Sequence, residues 1–404
     1  AASDVYKRQL LKKPNVNRMF VAYLVSYTGN AMAPIAMAFG VLDLTGRTSD
    51  ASFVIAAPTL ASILVLLIGG AVADRTSRQK VIYLSEFCAM ASQLTMAWLF
   101  LSGNATIPLL TTFMLINGIA MAFYAPAATG FIIQLVDEKD LQAANALLGT
   151  ARNGAVAGGA ALGGILVATI GAGATLIVDA VSFGLSALLV LSLAPRAQMS
   201  AGSESMFEDL RLGWREFISH TWLWAMVAQF ALVVAASEAI YGLIGPAVAR
   251  EMMGGSVDWG FIAAGFGVGT LAGGIIAMRL HPIHPMRFAA ICVFFFCGVQ
   301  LTLAVPSAVW IVAVAAFVHG LASQIFSVLW YTTLQKKVPG HMLSRISAYD
   351  HLGSIALAPM GIVVGGYLYE ALGFRPTLII AALAIVVPTA LVLCVRDVRM
   401  MTTR

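Results

Sequence analysis

The sequence predicts an all-α membrane protein of about twelve transmembrane helices arranged as two pseudo-symmetric six-helix bundles, and three observations predict it. The first is composition. Apolar residues make up 60% of the chain and charged residues 11%, with a mean hydropathy of +0.88, whereas a soluble domain carries about 25% charged residues. The second is run length. Crossing the hydrocarbon core takes roughly 20 mostly apolar residues in a helix, and about six such runs fall in each half. The third is a repeat at half the chain length. Leu141, Gly163, Gly164, Gly171 and Thr175 recur 202 positions later as Leu343, Gly365, Gly366, Gly373 and Thr377, and GGAVADR (69–75) recurs 204 positions later as GGIIAMR (273–279). A closed barrel is the other way to satisfy backbone polar groups in lipid, but its strands alternate at period two over roughly 10 residues. These runs are too long and too uniformly apolar for that.

In chain order, the first bundle (1–194) is expected to cross at 18–44, 51–73, 80–102, 106–133, 141–169 and 172–194. A polar linker (195–220) follows. In it Ser205 precedes Glu208 at capping-box spacing, and Met206, Leu210, Trp214, Phe217 and Ile218 recur at helical spacing opposite Glu208, Asp209, Arg211, Arg215 and Glu216. That pattern predicts a short amphipathic helix on the cytoplasmic membrane surface, with a plain linker helix as the alternative. The second bundle (221–404) is expected to cross at 221–249, 258–279, 287–305, 307–331, 343–370 and 374–395.

Charge sets the orientation. With a cytoplasmic N-terminus, that side collects Lys7, Arg8, Lys12, Lys13, Arg18, Arg75, Arg78, Lys80, Lys139, Arg279, Arg287, Lys336, Lys337, Arg345 and the C-terminal arginines, and the other receives Arg47, Arg250 and Arg375. The asymmetry predicts both termini in the cytoplasm and an even number of spans. The net charge of +5 is thereby read as topology, with no nucleic-acid partner. Trp98, Trp222, Trp224, Trp259, Trp310 and Trp330 stand at expected helix ends and suit an interfacial belt. Cys88, Cys292, Cys297 and Cys394 fall inside apolar runs, without the spacing of a disulfide framework or a metal site, and read as packing residues. The first apolar run is too long for a cleavable signal peptide, so none is expected.

The sharpest local motif follows the second run, from Gly70 through Asp74, Arg75 and Arg78 to Lys80. Here the chain resembles the major facilitator superfamily, whose signature at this place is a glycine, an acid four residues on, and a basic cluster. The resemblance covers essentially the whole chain. Ser77 stands where the family usually has glycine, and Met278 where the second-half acid would be. It implies a cytoplasmic gate of Gly70, Asp74, Arg75 and Arg78, with Asp74 against the N-terminal end of the eleventh span; the competing reading makes the arginines simple positive-inside anchors. Ala146 to Phe183, with small residues at Gly158, Gly159, Gly163 and Gly164, resembles the branch of macrolide efflux proteins and siderophore exporters. Two antiporter features are missing: a Gly-Pro before the paired glycines, where Gly159-Ala160 stands, and an arginine in the fourth span, which reads Leu115-Ile116-Asn117-Gly118.

Ionisable residues inside apolar runs are costly and default to functional hypotheses. Glu238, at the middle of the seventh run, is the leading proton carrier, with Asp179 and Arg152 as further coupling candidates. Alternatives are a neutral hydrogen-bonded acid or a partner of Arg152 for Glu238, a hydrated or helix-bonded acid for Asp179, and a structural ion pair or a substrate contact for Arg152. Glu86 reads as solvated near the cytoplasmic end, Asp43 and Asp258 as helix-end residues, and His319 as a satisfied core histidine or a proton carrier. Tyr23, Tyr27, Asn30 and Pro34 share a face of the first span; Asn117, Met121 and Tyr124 share one of the fourth. Tyr241 neighbours Glu238 on the seventh, and Gln324, Ser327 and Tyr331 align on the tenth. Because the first, fourth, seventh and tenth spans line the cavity in this superfamily, the resemblance makes Tyr23, Tyr27, Asn30, Asn117, Tyr124, Tyr241, His319 and Gln324 the substrate-cavity candidates.

The resulting expectation is a proton-coupled secondary transporter in a bacterial plasma membrane that exports hydrophobic or amphipathic molecules by alternating access about a site between its halves. It needs a proton gradient and lipid, no cofactor or metal, and is expected to work as a monomer. An importer or a lysophospholipid flippase on the same scaffold, and a non-transporting sensor, remain alternatives. A membrane enzyme is disfavoured, because the sequence has no HExxH motif, nucleophile elbow or phosphate loop.

Overall fold

In lipid a helix satisfies its own backbone, and every spanning element is one. The computed structural model describes residues 13–137, 140–195, 206–305, 307–338 and 342–402, with helices and no strand among them. The first span, Pro14–Thr45, starts with a proline whose missing N–H costs nothing in a first turn and stops at Gly46, which adopts φ 66°. The second is Thr48–Arg75, the third Arg78–Leu101 and the fourth Ile107–Leu135. Among the described residues, eleven helices are long and apolar enough to cross a membrane. One of these, the 51-residue run Leu141–Leu191, is broken at Gly171 (φ 83°, ψ 166°), and dividing it there into 141–170 and 172–191 gives the expected twelve spans.

The same break recurs in the second half. Gly373, 202 positions after Gly171, adopts φ 79° and ψ 175° between Ala358–Leu372 and Phe374–Cys394. A side chain would be strained in either conformation. Thr175 and Thr377 each donate a hydroxyl 2.8 Å to the carbonyl of the preceding repeat glycine. The repeat is therefore one of backbone geometry as well as letters.

The remaining spans are Thr221–Ala239 continued by a π-helical turn, Ile240–Ile244, and Gly245–Met252; Ser256–Ala277; Pro285–Leu303, with a 3-10 turn at Phe294–Cys297; Val309–Lys337; and Leu343–Ile355 continued by Ala358–Leu372. Pro246 accounts for the wide turn in the seventh span. It has no N–H for the Gly242 carbonyl and its ring crowds that carbonyl, so the preceding turn opens to the i→i+5 pattern.

Two compact units result: residues 1–46, 53–201 and 254–260, and residues 47–52, 202–253 and 261–404. Each includes a short segment from the other half of the sequence. In unit 2, Thr48 Oγ1 donates 2.8 Å to the Gly366 carbonyl, and the Ser49 N–H and hydroxyl donate to Glu370 Oε1 at 2.9 and 2.8 Å. Arg47 reaches Glu370 Oε2 at 3.2 Å. In unit 1, Ser256 Oγ donates 2.9 Å to the Gly164 carbonyl. Gly164 and Gly366 are repeat partners, and at each a β-carbon would strike the backbone of the docked segment.

One expectation needs correction. Trp98, Trp224 and Trp310 are exposed, as a belt requires, but Trp222, Trp259 and Trp330 are buried, and Trp222 packs edge-on against Trp330 at 5.6 Å. Residues near helix ends can still point inward where neighbouring spans meet. The linker helix is present at Met206–Ser219, although Ser205 lies outside the described residues, as do the side chains of 206–212. Phe217 is buried, and Trp214 and Phe217 lie 5.5 and 6.0 Å from Tyr349 of the eleventh span. Part of its apolar face is thus turned to protein.

Candidate functional site

Within unit 1 a cleft of about 310 Å³ is lined by Tyr23 and Tyr27 of the first span, Ala125, Ala128 and Thr129 of the fourth, and Asn145, Leu148, Gly149 and Arg152 of the fifth. Tyr23 and Tyr27, one helical turn apart, set their rings at 5.4 Å. Arg152 is exposed to the cleft beside the Tyr27 hydroxyl. No carboxylate of unit 1 pairs with it among the described residues, so the ion-pair reading gains no partner there.

Within unit 2 a cleft of about 130 Å³ lies between the seventh, tenth and eleventh spans. Phe230 stacks on Phe326 at 4.6 Å, and Phe326 on Trp330 at 6.1 Å. Trp330 Nε1 donates 2.9 Å to Asp350 Oδ2. The result is an aromatic wall ending in a nearly buried acid, a setting that favours a cation.

The two clefts occupy the same positions of the repeat. Ala125, Ala128, Thr129, Leu148, Gly149 and Arg152 line the first; 202 positions on, Ser327, Trp330, Tyr331, Asp350, His351 and Ser354 line the second. The third face comes from the first span in one and from the seventh in the other. Asp350 and His351 were not singled out from the sequence; the 202-residue offset from the neighbours of Arg152 is the signal that finds them.

Glu238 is exposed, with no donor to its carboxylate among the described residues. Phe230, Val234 and Glu238 fall at i, i+4 and i+8 on one helix face, and the first two line the unit 2 cleft. Glu238 therefore stands one turn beyond the cleft, just before the π-helical turn that carries Tyr241. Tyr241 and His319 are brought together, Oη to Nδ1 at 3.2 Å, with Phe266 and Phe296 packed on the imidazole at 5.1 and 4.4 Å. Buried and partnered, His319 fits the core reading. Gln324 and Asn30 are half-buried. Asn117 is buried with its Nδ2 unpaired, and Tyr124 belongs to the packed core of unit 1; neither lines the unit 1 cleft.

Of the gate residues, Gly70, Asp74 and Arg75 belong to the second helix, but their side chains lie outside what is described. Arg78 is more than an anchor, donating 2.7 Å to the Gly130 carbonyl. Ser77, the departure from the family motif, caps the third span by accepting the Lys80 N–H at 3.4 Å.

The clearest correction concerns Glu86. Expected in solvent, it is fully buried. Counting turns from a helix end measures depth, whereas burial depends on which face meets neighbours, and Glu86 faces the first and sixth spans. Ser186 Oγ donates to its Oε1. Asp179 is likewise fully buried, held by Gln93 Nε2 at 2.7 Å and Ser182 Oγ at 3.4 Å. Asp43 and Asp258 stand at helix ends, Asp258 accepting the Gly254 N–H at 2.6 Å.

A family model described as a transmembrane secretion effector matches residues 10–403. The multidrug efflux pump Tap of Mycolicibacterium fortuitum is 23% identical over 379 residues, covering 90% of this chain and 91% of the relative. The enterobactin exporter EntS of Escherichia coli O1:K1 / APEC is 24% identical over 371 residues, covering 87% and 86%. Among solved structures, the nucleoside transporter NupG aligns with a TM-score of 0.71 at 13% identity, covering 94% of this chain and 98% of that one. A bacterial homologue of the human lysosomal transporter Spinster aligns at 0.72 with 15% identity, covering 98% and 97%. At these identities the structural likeness speaks to fold alone.

Proposed function

Because this chain belongs to the transmembrane secretion effector family of the major facilitator superfamily, we propose that it exports hydrophobic or amphipathic small molecules in exchange for protons, by alternating access. A multi-pass membrane transporter with efflux pumps among its relatives is the established ground; proton coupling, cargo and direction are the proposal. The observation that carries it is the pair of clefts at repeat-equivalent positions, each with an amphipathic lining. Inverted and parallel repeats that present equivalent surfaces are how secondary transporters build a site, and apolar walls with a few polar groups suit bulky amphipathic cargo.

In this reading the tyrosines and Arg152 of unit 1, and the aromatic wall and Asp350 of unit 2, contact cargo. Glu238 and Asp179 exchange protons. With both termini cytoplasmic, in a bacterial plasma membrane, the docked segments Arg47–Ser52 and Gly254–Gly260 lie on the extracellular side, where their hydrogen bonds form and break once per cycle.

The test uses the full chain in proteoliposomes of bacterial polar lipid, with ethidium as the probe. An imposed proton gradient drives ethidium against its concentration difference, and ethidium addition moves protons the other way. Gradient-independent equilibration would remove the coupling, and ethidium movement in the same direction as protons would make the protein a symporter.

A further inference from the structure

The third and sixth spans of unit 1 run antiparallel and carry polar residues seven apart: Glu86 and Gln93 on one, Asp179 and Ser186 on the other. The pairing is Glu86 with Ser186 and Gln93 with Asp179, so two acids are stacked about 10 Å apart along one seam. Ser182 Oγ, one turn from Ser186, donates 2.7 Å to the Asp179 carbonyl and also lies 3.4 Å from Asp179 Oδ1. The first span closes the seam with Ser26 against Glu86 and with Gly29, where a β-carbon would collide with Ser182 and Asp179. Glu86, Asp179, Ser186, Gln93 and Ser26 are all at most 5% exposed.

No cation enters this seam among the described residues. The groups facing it are the hydroxyls of Ser26, Ser182 and Ser186 and the Gln93 amide; around Glu86 stand Tyr23 and Tyr27 of the first span and Tyr124 of the fourth. The nearest basic group in these contacts is Arg152 of the fifth span, which acts on Tyr23 and Tyr27. A second feature points to an occupant: Glu86 Oε2 and Gln93 Oε1 are buried with no hydrogen-bond partner. Oxygen acceptors sealed from water and left without donors are rare in native proteins, and an isolated buried carboxylate costs several kcal/mol. A proton satisfies such a group without a counter-ion.

We propose that Glu86 and Asp179 are proton-binding carboxyl groups of one buried seam, with Ser182 and Ser186 between them and the Tyr23–Tyr27 cleft at the Glu86 end. A proton binds Asp179, passes by way of the Ser182 and Ser186 hydroxyls with a water spanning the helical turn between them, each oxygen accepting one proton and releasing one, resides on Glu86, and leaves toward the cleft. Only O–H bonds form and break, and each carboxyl returns to its starting state. The coupling role rests on the proton-exchange reading above; occupancy of the seam by protons does not.

Infrared difference spectroscopy of the full chain in proteoliposomes, between acid and alkaline buffer, reads the protonated carboxyl C=O stretch directly. Among the contributions the wild type shows, E86Q removes one and D179N another, and S186A shifts the frequency of the Glu86 band by deleting its hydrogen bond. E238Q removes its own contribution and leaves these two in place. In ethidium transport, E86Q lowers gradient-driven accumulation roughly tenfold or more while ethidium–ethidium exchange without a gradient persists, which also shows that the variant is folded. Spectra unchanged in E86Q overturn the proposal, as does undiminished gradient-driven transport. If the bands titrate and disappear as stated but wild-type transport ignores the gradient, the seam stands and the coupling reading falls.

Discussion

Glu238 and Glu86 show how differently two intramembrane acids can be treated by the same fold. Glu238 stands exposed on the face of Phe230 and Val234, beside a turn widened by Pro246, whereas Glu86 is sealed among serines. Replacing Glu238 with Gln keeps the shape of the protonated acid but removes its ability to release a proton. Gradient-driven ethidium transport by E238Q should therefore fall by about tenfold or more, with equilibrium ethidium binding, read by fluorescence polarisation, retained. Full pH-dependent transport in E238Q would take this residue out of the mechanism. The depth of Glu238 was legible from the sequence because a lone acid at mid-span needs only a hydropathy window. The burial of Glu86 was not, since it depends on the sixth span, although the seven-residue spacing shared by Glu86–Gln93 and Asp179–Ser186 was present to be read.

At the scale of elements, the docked segments are governed by small residues. The Gly164 and Gly366 pair, recognised from the repeat, is where backbone of another span approaches too closely for a side chain. What repetition did not reveal is the carboxylate beside one of them. Glu370 accepts the Ser49 N–H and hydroxyl and meets Arg47, so it serves the first turn of the second span as a cap borrowed from the eleventh. Loss of a capping acceptor costs about 0.5 to 2 kcal/mol. Glu370→Ala should shift the docked population by the corresponding factor of roughly two to thirty. Electron paramagnetic resonance between spin labels at Asp50 and at Leu372, both in unit 2, would read it as growth of a longer-distance component. The same distance distribution in E370A and wild type would show that Thr48 and packing alone hold the segment.

At the scale of the whole molecule, the two units share a plan and differ in charge. Repeat-equivalent positions place Arg152 in one cleft and Asp350 in the other, opposite Ser354 and Leu148 in the alignment of the halves. Duplication explains the common backbone, down to the breaks at Gly171 and Gly373, but a duplicated cleft would carry equal charges; the asymmetry has to come from what each cleft meets. Each residue can be replaced by its own counterpart, which the same backbone position accommodates in the other half. Arg152→Ser should leave folding intact, since among the described residues Arg152 pairs with no carboxylate of unit 1, and should weaken inhibition of ethidium transport by amphipathic anions. Asp350→Leu should weaken transport of lipophilic cations while sparing neutral amphiphiles. A charge-assisted contact is worth about 1.5 to 3 kcal/mol, so the cation-to-neutral preference should change by roughly ten- to a hundredfold. Concentration dependence of transport for ethidium and for a neutral dye of similar size, compared across wild type, R152S and D350L, decides it. Equal losses for charged and neutral probes in D350L would mean that Asp350 only holds Trp330 in place, and a misfolded R152S would return Arg152 to the structural role that its exposure in the cleft argues against.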